Sequence, residues 1–578
     1  MRRRDIDVLK GIAIIAVILY HFEFFTYGYL GVDLFLVING FLIGLGLIRK
    51  TEDNSLKYFD FVISRFCRLF PLVIVASIAC LTLGAVSMLP DNYENLAMSV
   101  VSTNLFSNNI LAAITTKNYW DVVNNYKPLM HTWYLGIVAE FYMIIPLLFI
   151  IPAKLFKKAD KQTLLRRIFV FLTVCFAFSL VLYLLPSIGY NEKFYFIPFR
   201  FFELTLGSMI AFAYSKYGDK TSHKTINIIS VVLLIGLMFI NSDFINTSVR
   251  LLLTVMLSGI AIVTGCKKSA NSTDRVLIPL EILGKKSYSY FIWHQIIVAF
   301  YRSYIGSVNS VLSVLVCLML IILVSELSYY FVEAKIKSSK KVFIISIICA
   351  VIVSGIAGTI YLRAGVIRDV PELDISTKQI QRNIHGAYCD RIYDYDRDYQ
   401  HNDKIKVFIT GNSFARDFAN ILLESPYADK VDISYAFKYD HNYEQRIKQS
   451  DYVFVFTTSN EIYDNICSVA GKDKVWGIGT KNFGENNDRI YIKRFTDGYY
   501  DTRVKPTDNI LEEQQMLKQM WNDHYVDMMS PLMNENGEIR VFTDDKKYIS
   551  QDCRHLTIQG AKYYARIIDF ESIFENED

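Results

Sequence analysis

Ser413, Asp552 and His555, all in the final third of a 578-residue chain, have the types and the order of a nucleophile, an orienting acid and a general base. A serine hydroxyl attacks poorly until an imidazole takes its proton, and the imidazole needs a carboxylate to fix its tautomer. Lys406-Val407-Phe408-Ile409-Thr410-Gly411-Asn412-Ser413 reads as a strand that ends in a glycine and then a serine. That geometry exposes a hydroxyl at the C-terminal edge of a sheet, where the N-terminus of the next helix can stabilise an oxyanion. Asp552-Cys553-Arg554-His555 places an acid three residues before a histidine. A Gly-x-Ser alone is more often a turn; with a late Asp-x-x-His in an α/β region it reads as acyl or hydrolytic chemistry.

A second group of ionisable residues lies inside or at the edges of apolar runs. His21 and Asp33 flank a short turn between two such runs, Glu140 is in a third, Arg200 and Glu203 share a fourth, and His294 is in a fifth. A charge in a bilayer costs roughly 2.5–3.5 kcal/mol even on lenient scales, so these positions point to a polar cavity in an enzyme or a transporter, not an anchor. Arg65 and Arg68, three apart on one helical face before Pro71, can hold phosphates or simply obey the positive-inside rule. Arg200 and Glu203 can be a structural ion pair or part of a site. His131 and Trp133 are read as acceptor-side or packing residues, and His294 beside Trp293 as structural or functional on equal terms.

The elements that must carry these residues follow from composition and periodicity. Hydrophobic residues make up 52% of the chain and charged ones 20%, with a mean hydropathy of +0.25, which divides the sequence into an apolar and a polar region. The net charge is +13 before Arg363 and −9 from there on, so the overall +4 implies no nucleic-acid partner. Eleven spans are predicted near 10–25, 30–48, 71–89, 134–154, 167–185, 200–214, 224–240, 248–265, 288–304, 309–332 and 341–362. Connectors 1–10, 49–70, 154–168, 215–224, 267–287 and 333–341 carry 27 Lys and Arg against about five in the alternating ones. The positive-inside rule then sets the N-terminus in the cytoplasm and, after an odd number of crossings, the C-terminal region outside. The run after Arg4 is read as a first span, not a cleaved signal.

Three regions result: a ten-span membrane domain over 1–340, an eleventh span and linker over 341–381, and an external α/β domain over 382–578. In that domain Lys404–Thr410, Asp451–Thr457 and Glu538–Thr543 read as strands and the stretches after Ser413 and over Glu512–Met529 as helices, favouring a parallel sheet. Nine cysteines are scattered singly; Cys389, Cys467 and Cys553 fall in the external domain, and no metal site is expected.

Six blocks resemble, in order, the acyltransferase-3 family of membrane acyltransferases. They are Arg4–Ala13 with His21-Phe22; Gly31–Ile43; Arg65-Phe66-Cys67-Arg68-Leu69-Phe70-Pro71; His131-Thr132-Trp133-Tyr134-Leu135 with Glu140-Phe141-Tyr142; Arg200 with Glu203 and Gly207; and Leu283–Tyr290 before Trp293-His294. Asn39 replaces a usual Ser, Lys10 an Arg and Tyr134 a small polar residue. The Ser413 and Asp552–His555 segments resemble the SGNH hydrolases, a flavodoxin-like fold, with Asn412 where that family has Asp and Asn460 as a candidate oxyanion-hole residue beside Ser413. The resemblance implies transfer of an acyl group, acetyl first, from cytoplasmic acetyl-CoA (acyl-CoA), a substrate and not a bound cofactor. The acceptor would be a bacterial surface polysaccharide outside the inner (cytoplasmic) membrane: lipopolysaccharide O-antigen or a similar glycan, or peptidoglycan. It further implies His21 as catalytic base, with Glu23, Asp33 or Glu140 to orient it, and Arg65 and Arg68 as acyl-CoA ligands. A transporter or flippase of lipid-linked saccharide and a deacylating esterase remain open at this point.

Overall fold

The computed structural model describes residues 3–115, 124–156, 160–241, 244–265, 277–380 and 384–575. The basic connectors 157–159 and 267–276 and the linker end 381–383 lie outside them. The chain forms two compact units, Met1–Val86 with Asn92–Tyr361, and Ser87–Asp91 with Leu362–Asp578. The division at 361/362 falls within the segment read as eleventh span and linker.

Unit 1 is helical. Its principal helices are α1 (Arg4–His21), α2 (Gly31–Glu52), α3 (Tyr58–Ser87), α4 (Trp133–Leu155), α5 (Phe201–Tyr217) and α6 (Ser287–Tyr304). Helices Lys161–Leu184, Lys224–Phe239, Thr247–Thr264, Val311–Ser328 and Lys340–Leu362 complete the set, so each of the eleven apolar runs falls on a helix. Among the described residues, seven helices are long and apolar enough to cross a membrane. The other four fall short for visible reasons. α1 carries Arg4, Asp5, Asp7 and Lys10 in its first two turns, α6 is rich in Tyr and Ser, and α5 and Lys224–Phe239 have 17 and 16 residues. Shorter helices, among them Pro90–Asn104, Asn108–Thr115 and Ile278–Lys285, were not visible in the hydropathy pattern.

Glycine sets the close packing of α2 on α5. A Cβ on Gly40 of α2 would lie 2.0 Å from the Leu204 carbonyl oxygen, and one on Gly207 of α5 would lie 2.1 Å from that of Val37. Only bare Cα atoms permit this backbone approach, a small-residue contact of the kind that packs membrane helices. It brings the first turn of α2, with Asp33, against the start of α5, with Arg200 and Glu203.

Unit 2 is built on five parallel strands, β1 (Ile405–Gly411), β2 (Val431–Phe437), β3 (Tyr452–Val455), β4 (Val475–Ile478) and β5 (Tyr525–Val526), in the order β2-β1-β3-β4-β5. This is the flavodoxin-like strand order, in which sites form beyond the C-terminal strand ends. The central strands are apolar on both faces, as a covered parallel sheet requires: Val407 to Ile409 and Val453 to Val455 are fully buried. Two predicted elements are corrected. Glu538–Thr543 does not join the sheet; Ile539–Arg540 pairs antiparallel with Arg503–Val504 in a separate ribbon. The helix predicted over Glu512–Met529 spans Asp508–Trp521, and Tyr525–Val526 beyond it is β5. The break is silent in the sequence, since the turn at Asn522, with φ +48°, has no Gly or Pro to announce it.

Candidate active site

In unit 2, β1 runs into α7 (Ser413–Glu424). Gly411 has φ +141°, and a Cβ there would meet the Phe456 carbonyl oxygen at 2.8 Å, so the turn off the strand demands glycine. Asn412 caps the helix, its Oδ1 accepting from the Phe414 N–H at 2.9 Å, a task that asparagine and aspartate perform equally well. Ser413 is thereby the first helical residue, buried at the positive end of α7.

The Asp552–His555 segment is a tight clasp. Asp552 Oδ2 accepts from His555 Nδ1 at 2.5 Å, and Oδ1 accepts from the backbone N–H groups of His555 at 2.7 Å and Arg554 at 2.9 Å. The proton on Nδ1 leaves Nε2 as the basic nitrogen. Burial raises the Asp552 carboxyl, though 36% of the side chain stays accessible; the neighbouring His555, which donates from both its ring and its backbone N–H, and His385 outweigh it and hold the group well below the usual carboxylate range. Asn460 opens the helix after β3, so it shares the C-terminal sheet edge with Ser413, and it is exposed there. Asp417 and Lys481, which nothing in the sequence singled out, form an ion pair of 2.8 Å, both almost fully buried.

In unit 1, three histidines from separate sequence blocks converge. The His21 ring, at the C-terminal end of α1, lies 5.0 Å from that of His294, which lies 5.1 Å from His131. Phe291 packs on both His131 and His294. His294 Nδ1 donates to the Tyr290 carbonyl at 3.2 Å, and its Nε2 has no hydrogen-bond partner among the described residues. Three adjacent imidazoles in an apolar shell can accept and pass a proton.

None of the carboxylates considered for His21 bonds to its ring among the described residues. Glu23, at φ +64°, accepts from Arg302 Nη2 and from Asn125 Nδ2, each at 2.8 Å. Asp33 pairs with Arg200 Nη2 at 2.7 Å, and Arg200 Nε lies 3.2 Å from Glu203; all three side chains are at most 1% exposed, with Trp133 and Phe194 over the guanidinium. Glu140 accepts from Asn109 Nδ2 at 2.9 Å. The His21 carbonyl is instead held by Arg302 Nη2 at 2.9 Å. Asn39 and Tyr134, two departures from the motif pattern, bond to each other: Asn39 Nδ2 donates to the Tyr134 hydroxyl at 2.5 Å.

A cavity of about 650 Å³ opens at the opposite end of α1 from His21, lined by Arg3, Asp7 and Lys10, by Arg49 at the end of α2, and by Arg68, Lys285 and Glu333. Arg68 lies 3.8 Å from Glu333 and stays largely exposed. Arg65 is not among the lining residues; its guanidinium lies over the Phe61 ring.

Residues 3–330 match the profile of an acyltransferase domain, more than half of the chain and all six motif blocks. The chain belongs to the acyltransferase-3 family. It is 27% identical over 350 residues to the peptidoglycan O-acetyltransferase OatA of Listeria monocytogenes, covering 58% of this chain and 56% of that protein. To the O-acetyltransferase OatA of Staphylococcus aureus it is 27% identical over 357 residues, with 57% of each covered. The chain thus spans little more than half the length of these curated relatives. No solved structure matches. The family match contains the histidine cluster, the Asp33–Arg200–Glu203 group and every cavity-lining residue up to Lys285, and it ends before Ser413.

Proposed function

We propose that the protein is an O-acyltransferase that moves an acyl group, acetyl first, from acyl-CoA across the bacterial cytoplasmic membrane to a hydroxyl of an envelope polysaccharide. The observation that carries this reading is the coexistence, in one acyltransferase-3 chain, of a histidine cluster at one end of α1, with His131 and His294 buried and His21 partly so, and a basic cavity at the other. Arg3, Lys10, Arg49, Arg68 and Lys285 would bind the phosphates of the donor, guanidinium groups being suited to bidentate contact. α1 spans about 27 Å at 1.5 Å per residue, so a donor held by its phosphates at the basic end would extend its thioester arm along the helix toward His21. His21, with His294 and His131 beside it, would act as base. With the N-terminus cytoplasmic and unit 2 external, Ser413 would receive the acyl group through attack of its hydroxyl, His555 taking the hydroxyl proton and giving it to the departing donor; a sugar hydroxyl would then attack the acyl-serine, His555 taking its proton and returning it to the Ser413 oxygen as the serine leaves. Asp552 would orient His555, and Asn460 with the Ser413 N–H would bind the oxyanion.

Peptidoglycan is the first acceptor to test, because one of the relatives bears that name; lipopolysaccharide O-antigen is the second. Polysaccharides from cells carrying the intact chain, His21→Ala or Ser413→Ala are compared by mass spectrometry for base-labile acetyl esters. The expected result is an ester that depends on the intact chain and disappears in both variants. An ester level indifferent to both substitutions refutes the relay.

A further inference from the structure

Asp417 follows Ser413 by four residues on α7, so both lie on the same face one turn apart. Its Oδ2 accepts at 3.1 Å from the N–H of Leu556, the peptide directly after His555, and lies 2.8 Å from Lys481 Nζ. Lys481 comes from the loop after β4 and holds its ammonium 4.1 Å from the centre of the Phe414 ring, the residue next to Ser413. On the other side of His555, the Cys553 carbonyl accepts from the Phe483 N–H at 3.0 Å. The backbone around His555 is therefore anchored on both sides, and one anchor is a side chain of the serine's own helix.

Both partners of the Asp417–Lys481 pair are 1% exposed. Burial lowers the Lys481 ammonium from its usual range, and Asp417 acts against that shift. A buried ion pair commonly contributes less to stability than apolar side chains of the same volume would, so a pair kept at this position needs a reason other than stability. Geometry supplies one, since a misplacement of 1 Å between reacting groups costs about 100-fold in rate.

We propose that Asp417 is a positioning residue: its hydrogen bond to the Leu556 N–H sets the separation of the Ser413 hydroxyl and the His555 imidazole, and Lys481 holds the carboxylate in place. This rests on the assignment of Ser413 and His555 as nucleophile and base. Asp417 touches no reacting atom and acts through the backbone of the histidine segment.

The test uses the full-length protein in detergent, with the rate of Ser413 labelling by a fluorophosphonate probe as readout and thermal melting as control. In Asp417→Leu with Lys481→Met, both charges and the acceptor are gone while the branching at position 417 is kept; labelling is expected to slow by about 100-fold with melting retained. In Asp417→Asn with Lys481→Met the charges are gone but an oxygen still faces Leu556, and the rate is expected to recover to within about tenfold of the parent. Equal rates in the two double variants overturn the proposal while leaving the serine assignment intact. Labelling that persists in Ser413→Ala overturns both. Should the leucine variant melt early, Asp417→Glu carries the test, because it keeps the charge pair and shifts the acceptor by one methylene. A tenfold or larger loss at unchanged melting supports the positioning role, and an unchanged rate overturns it.

Discussion

The two imidazole sites of this chain are prepared differently. His555 is locked by a carboxylate that accepts its ring N–H and two backbone N–H groups, so tautomer and orientation exist before any substrate arrives. His21 has aromatic rings and a second imidazole around it, and the carboxylates considered for it are all engaged elsewhere. The difference follows from the solvent each site faces. A carboxylate in an aqueous domain is cheap to ionise, whereas in an apolar bundle it needs a cation, and Asp33 and Glu203 share one, Arg200. Unit 2 therefore uses Asp552 to orient a base, and unit 1 uses Asp33 and Glu203 to accommodate a buried arginine.

The sharpest break of this comparison is His555→Ala, expected to lower Ser413 reactivity toward a fluorophosphonate by about 10⁶-fold, as loss of the base does in serine proteases, while His21→Ala abolishes acetylation in cells without changing that reactivity. Next, Asp552→Asn should cost about 10⁴-fold in the same labelling assay, the loss known for the equivalent change in a serine protease, whereas Glu140→Gln should alter cellular acetylation by less than about threefold, since its partner Asn109 can bond an amide equally well. Arg200→Met leaves two carboxylates buried without their cation and should destabilise unit 1 by about 3–5 kcal/mol, read as a lower melting temperature in detergent.

The smallest effect concerns acid. Because the Asp552 carboxyl is held below its unfolded value of about 3.9, its contribution to stability is complete above about pH 4 and is lost as pH falls below that. Melting of the parent between pH 5 and pH 3 should therefore decline more steeply than melting of Asp552→Asn, and parallel curves would show that the clasp contributes nothing to folding.

Sequence pattern revealed the helices of unit 1 well, because eleven apolar runs leave few alternatives, and it revealed the Asp552–His555 contact because the two residues are only three apart. It missed β2 and β4, where Asp432, Ser434 and Gly477 interrupt the apolar alternation although the strands are buried on both faces. It paired Arg200 with Glu203, which are three apart, and left out Asp33, which reaches the same guanidinium from 167 residues away. Convergence of His21, His131 and His294 was equally illegible, since each stands alone in its own block. Asn39 and Tyr134 looked like two separate departures and are one hydrogen bond; a change at either end of a contact is readable only when both ends are seen.

The carbonyl that ends α1 is satisfied by Arg302, 281 residues downstream. At synthesis rates of 5–20 residues per second, roughly 15–60 s separate the emergence of the histidine from that of the arginine that fixes its backbone. During that interval the nascent chain holds an uncommitted base. The Arg302–His21 contact thus forms late in biogenesis, only once the ninth of the eleven long helices has been made and has docked against the first.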